Sequence, residues 1–141
     1  MRYLLDTTTL IDVVRAHRPT TSSIQAHLGQ PDSALYASAI SRGELVRGAL
    51  GNPEGRRERE SRAVEELLGH LTGILPVTAE TADAFGEITA YLDGRGQPIP
   101  SNDAWIAATA MEHGLIIVTT DAHFGRLPWL RVESWAEGPQ I

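Results

Sequence analysis

SNDAWIAATAMEHGLIIVTTD, residues 101–121, is the stretch whose reading decides the fold. Ser101 is placed to cap a helix that runs to His113, and Gly114 is its stop. Ile106, Ala107 and Ala110 form one apolar stripe on that helix, and Asp103 lies on the same stripe one turn earlier. Leu115–Val118 follows as a short, wholly apolar run, the pattern of a strand buried on both faces. Two threonines later comes Asp121. A helix leading straight into a buried strand is half of a parallel α/β unit.

The same alternation extends to both ends of the chain. Arg2-Tyr3-Leu4-Leu5 reads as a first strand, and Thr7, Thr8 and Thr9 cap a helix carrying Leu10, Ile11, Val13 and Val14. A second helix is expected after Pro19, from near Ser22 to Gly29. Ala34–Ala37 is the next strand, followed by a helix through Leu45, Val46, Ala49 and Leu50. Gly51-Asn52-Pro53 ends it, and a charged helix continues to about Leu71. Ile74–Val77 reads as an edge strand, because Pro76 has no N–H for the ladder. Ala82, Phe85, Ile88 and Leu92 make the stripe of another helix. Gly94–Pro100 is a loop, and Leu130–Val132 is a weaker last strand. The expectation is one domain over residues 1–141, with about five short parallel strands between two helical layers in a three-layer α/β/α fold.

In such a fold the carboxyl ends of the strands and the amino ends of the helices share one edge, where ligands bind. Asp6 and Asp121 follow strands directly, while Glu44 and Asp103 are expected in the first turns of helices. Four carboxylates distant in sequence should therefore meet. Each has a plainer reading. Ser41-Arg42-Gly43-Glu44 fits a capping box, Asp103 can complement a helix dipole, and Asp6 and Asp121 can serve as turn residues. Together at one edge they favour a cation site, because carboxylates about 4 Å apart repel by about 4 kcal/mol at an effective dielectric near 20. Oxygen ligands without cysteine select Mg²⁺, with Mn²⁺ as the alternative, over zinc.

Composition narrows the classes further. The chain has 141 residues, a formal net charge of -6 and no cysteine, so no disulfide framework or thiolate metal site is available. Asp6 interrupts the apolar start, which is therefore not expected to be a leader. With no long apolar run, no membrane span is expected, and the lack of cysteine fits a cytoplasmic location. All 12 basic residues are arginine, whose planar fork suits phosphate, although base-composition bias explains the absence of lysine as well. Arg42 and Arg47, near Glu44, are the candidate phosphate contacts. Residues 56–62 alternate in sign at i,i+4 spacing and read as a solvated helix face. His123 reads as polar surface and Trp105 as packing.

Tyr3–Ile11 with its acid, Ser38–Gly48 with Glu44, Asn102–Ala110 with Asp103, and Ile116–Phe124 with Asp121 together resemble the PIN-domain nucleases, specifically the VapC-type ribonuclease toxins, along essentially the whole chain. The resemblance implies a PIN-like fold and Mg²⁺-dependent RNA cleavage by Asp6, Glu44, Asp103 and Asp121. It also implies a homodimer and inhibition by a cognate VapB-type antitoxin. Thr8 departs from the Asn or Ser that many members carry there. Thr7 and Thr120 are candidates for orienting water or a phosphate oxygen. Three alternatives stand beside this reading: a PIN nuclease of RNA maturation, a non-catalytic partner-binding domain, and an aspartyl-phosphate phosphatase with Asp6 as nucleophile. The last lacks both an Asp at position 8 and any lysine.

Overall fold

Leu4, Leu5, Leu35, Ile117 and Val118 lie on adjacent strands with almost no exposure, which is what fully covered parallel strands require. In the computed structural model, which describes residues 1–139, these belong to β1 (Arg2–Leu5), β2 (Ala34–Ser38) and β4 (Ile116–Val118). With β3 (Gly73–Leu75) and β5 (Val132–Glu133) they form one sheet in the order β3-β2-β1-β4-β5, parallel throughout. The helices are α1 (Thr7–Val14), α2 (Arg18–Leu28), α3 (Ala39–Leu50), α4 (Glu54–His70), α5 (Ala79–Gly94) and α6 (Ser101–His113), with a 3₁₀ turn over Ala122–Arg126.

Alternation along the strands divides the core in two. Tyr3, Leu5, Leu35 and Val118 face Leu10, Ile24, Leu45, Val64 and Leu68 of α1–α4, with Trp135 closing that layer. Leu4 and Ile117 face Ile88 and Leu92 of α5, Ile106 and Ala107 of α6, and Phe124. Sheet and two helical layers make the expected α/β/α arrangement. Trp105 packs, as read, with its ring stacked on Phe85 at 4.0 Å.

The order of strands locates the ligand edge. From β1 the chain winds outward through β2 and β3, then returns to place β4 on the other side of β1. The reversal falls between β1 and β4, and a crevice opens at their carboxyl ends. Asp6 N–H donates to the Val118 carbonyl at 2.9 Å there, and the Thr9 hydroxyl donates to the same oxygen at 3.0 Å.

Several boundaries differ from the expected ones. α2 begins at Arg18 rather than near Ser22, because Pro19 fits a first turn, where its missing N–H has no intrahelical partner. Pro100, not Ser101, is the N-cap of α6. In α5, Thr78 and Thr81 form a reciprocal capping box, and the buried stripe is Thr81, Ala84, Ile88 and Leu92, leaving Ala82 in water. β3 ends before Pro76, and β5 starts two residues later than expected. Gly114, at φ 65°, ends α6 in the left-handed region that only glycine enters freely.

Candidate metal and catalytic site

Asp6 is the N-cap of α1, yet its side chain makes no capping bond. The residue is buried, 2% exposed. Its Oδ2 accepts hydrogen bonds from the Thr119 hydroxyl at 2.7 Å and the Thr8 hydroxyl at 3.1 Å. Its Oδ1 is buried with no hydrogen-bond partner. Burial pushes the Asp6 carboxyl above the usual range, against the pull of the Thr119 and Thr8 hydroxyls, and the neighbouring Asp121 charge pushes the same way as burial. A buried anionic oxygen without a donor is costly unless something positive supplies the contact.

Asp103 arrives from the helix side, in the first turn of α6, and its side chain is 17% exposed. Its carboxyl is also raised, by burial first and then by the charges of Asp6 and Asp121, with the His123 hydrogen bond opposing. Asp121 caps the 3₁₀ turn, its Oδ1 accepting from the His123 backbone N–H at 2.9 Å. That turn swings the His123 ring inward, so that Nδ1 lies 3.2 Å from Asp103 Oδ2 and 3.0 Å from Asp121 Oδ1. One ligand atom each from Asp103, Asp121 and His123 lies within 4.8 Å of the others. Asp6 is near enough for its charge to act on Asp103.

Glu44 stands to one side of this group. Ser38, not Ser41, caps α3, its Oγ accepting from the Ser41 N–H at 3.1 Å. Glu44 is therefore in the second turn, not the first, and makes no capping box. A hydroxyl relay fixes it: Ser41 donates to Thr7 at 2.8 Å, and Thr7 donates to Glu44 Oε1 at 2.7 Å. Since Thr7 directly follows Asp6, the relay ties α3 to the site. Glu44 also lines a small cleft with Arg15, Asn52, Arg56 and Glu60.

Two flanking expectations change. Thr120 is exposed, and its N–H approaches the Thr8 hydroxyl at 3.4 Å; Thr119 is the threonine whose hydroxyl enters the site, donating to Asp6 and accepting from the Asp121 N–H at 2.9 Å. Arg42 is bound to Glu65 at 2.9 Å, whereas Arg47 is exposed. His123 is a site residue rather than mere polar surface, and its only sequence signal was lying two positions after Asp121. The donor atoms gathered here therefore include a ring nitrogen as well as carboxylate oxygens.

A cavity of about 710 Å³ is lined by residues including Met1, Arg2, Gly114 and Trp129, and none of the four acids reaches it. The donors of Asp103, Asp121 and His123 fit a divalent cation, and beside them Asp6 Oδ1 is buried without a partner. No helix among the described residues is long and apolar enough to cross a membrane.

The family model for the PIN domain matches residues 3–130. Ribonuclease VapC2 of Haemophilus influenzae (strain KW20 Rd) is 35% identical over 136 residues, covering 96% of this chain and 98% of that protein. The tRNA(fMet)-specific endonuclease VapC of Salmonella typhimurium (strain LT2) is 30% identical, again over 96% and 98%. Among solved structures, VapBC-1 from nontypeable Haemophilus influenzae superposes with a TM-score of 0.82 at 29% identity, covering 96% of this chain and 98% of that one.

Proposed function

The chain belongs to the PIN domain family, and from that membership we infer that it is a VapC-type ribonuclease toxin, hydrolysing RNA phosphodiester bonds with a divalent cation and restrained by a cognate VapB-type antitoxin. The observation that carries the reading is the gathering of Asp103, Asp121 and His123 donor atoms within 4.8 Å of one another, with Asp6 Oδ1 buried and unpartnered at the end of β1. We further propose that residues 1–141 form one PIN domain, that the protein is a homodimer, and that Mg²⁺ is the working ion, with Mn²⁺ able to replace it.

Asp6, Asp103 and Asp121 would hold the ion, and Glu44 would complete the site from α3. When bound, the ion polarises the scissile phosphate and assists attack by water on phosphorus. Thr119 and Thr8 hold Asp6 Oδ2, so that Oδ1 would be left free for a cation. The Thr7–Ser41 relay holds Glu44 Oε1, leaving its other oxygen to orient water or take its proton. Arg15 and Arg56 beside Glu44, together with exposed Arg47, supply positive charge for the neighbouring phosphates.

Purified protein incubated with total RNA is expected to yield discrete fragments with Mg²⁺ and none in EDTA. Asp6→Ala is expected to be inactive under both conditions. Fragments that form equally well in EDTA, or with Asp6→Ala, would overturn the reading.

A further inference from the structure

His123 is the residue the four-carboxylate reading leaves without a task. Its Nδ1 lies 3.2 Å from Asp103 Oδ2 and 3.0 Å from Asp121 Oδ1. A ring nitrogen carries at most one hydrogen, so Nδ1 can make one good hydrogen bond to these oxygens and not two. Three donor atoms within 4.8 Å of one another are better satisfied by a positive centre between them. The spacing also suits one: adjacent ligands of an octahedral ion with bonds near 2.1 Å are about 3.0 Å apart. Asp6 adds an independent sign, since the residue is 2% exposed and its Oδ1 is buried with no donor.

We propose that His123 Nδ1 is a direct ligand of the divalent cation, alongside Asp103 and Asp121, so that the ion sits in a mixed nitrogen–oxygen set. This rests on the proposed function in taking the carboxylate cluster as the cation site. The backbone is arranged for it. Asp121 caps the turn through Oδ1 and the His123 N–H, which sets the ring's approach. The other four histidines lie apart from this cluster, His27 being stacked on Trp135 and His17 bonded to Thr20. Imidazole favours the later divalent ions over Mg²⁺, which prefers oxygen alone. The site should therefore bind Mn²⁺ more tightly than Mg²⁺, and His123 should be responsible for much of the difference.

The test is pulsed electron paramagnetic resonance on the whole protein with Mn²⁺ alone, prepared with natural-abundance histidine and again with ¹⁵N-histidine. The expected result is the nitrogen coupling of a directly bound imidazole, changed in pattern by the label and absent in His123→Gln with Mn²⁺ still bound. By calorimetric titration, His123→Gln should weaken Mn²⁺ binding about tenfold and Mg²⁺ binding less than about threefold. Absence of imidazole coupling in the labelled wild-type protein overturns the inference even without the variant, and the variant assigns any coupling seen to His123. Bound Mn²⁺ with no imidazole coupling, alongside metal-dependent RNA cleavage, overturns this inference and leaves the nuclease reading standing. Imidazole coupling lost in His123→Gln, in a protein that cuts no RNA, upholds the ligand and overturns the nuclease. Failure to bind Mn²⁺ overturns both.

Discussion

Replacing Asp103 by Asn should make the metal-free protein more stable and the metal-bound protein less so. Carboxylate oxygens of Asp103 and Asp121 lie within 4.8 Å of each other. Two unit charges at about that distance repel by about 3.5 kcal/mol at an effective dielectric near 20. The side chains are 17% and 26% exposed, which draws the figure toward the aqueous value of about 1 kcal/mol. Asn keeps the shape of Asp and an oxygen that accepts from His123. The net relief is then about 1–2 kcal/mol, and for a chain of this size that raises Tm by about 3–7 °C. Saturating Mg²⁺ reverses the order, since a ligand at about 100 times its Kd stabilises the folded state by about 2.7 kcal/mol, most of which the variant forgoes. Differential scanning calorimetry in EDTA and then in excess Mg²⁺ should show the two melting temperatures exchange rank. A variant no more stable than wild type in EDTA would refute the electrostatic reasoning.

Other outcomes follow from the same geometry. Asp6 and Asp103 both have raised folded-state carboxyls, so the folded chain holds their protons to higher pH than the unfolded chain does. Their destabilising effect is absent below the ordinary value of 3.8, grows as pH rises toward the raised values, and is complete above them. Melting curves in EDTA from acid to neutral pH should therefore fall less with rising pH in Asp103→Asn than in wild type, and parallel curves would contradict this. Thr119→Val removes a hydrogen bond to an ionised carboxylate, worth about 1.5–3 kcal/mol; cleavage assays should show a loss of about tenfold or more by that variant, whereas Thr120→Ala should stay within about twofold of wild type. Glu44→Gln retains an oxygen for the Thr7 hydroxyl, so its Tm in EDTA should stay within about 2 °C while cleavage drops at least about tenfold. A normal rate in Glu44→Gln would remove that residue from the reaction.

What could be read from the chain depended on whether a signal was local. Buried strands followed at once by Asp6 or by Thr-Thr-Asp121 announce both fold and site, because apolar runs and the acids ending them are contiguous. The first turn of α6 was legible in the same way, with Asp103 on the stripe of Ile106 and Ala107. Glu44 was misplaced by one turn because Ser38 and Ser41 both stand three residues before a plausible cap partner, and only the end of β2 at Ser38 decides between them. Thr119 and Thr120 cannot be told apart by type, and the direction of the chain leaving β4 makes the choice. His123 gave little sign because one of its partners, Asp103, is 20 residues away in sequence. The β1/β4 reversal that gathers the acids is a property of strand order, which no single motif carries.

The most direct measurement is the anomalous scattering of Mn²⁺ in crystals of the protein. A peak within about 2.5 Å of carboxylate oxygens from both Asp103 and Asp121, on the side where Asp6 Oδ1 is unpartnered, is the predicted result. Saturating Mn²⁺ with no peak there, or with its only peak away from these side chains, would contradict the account.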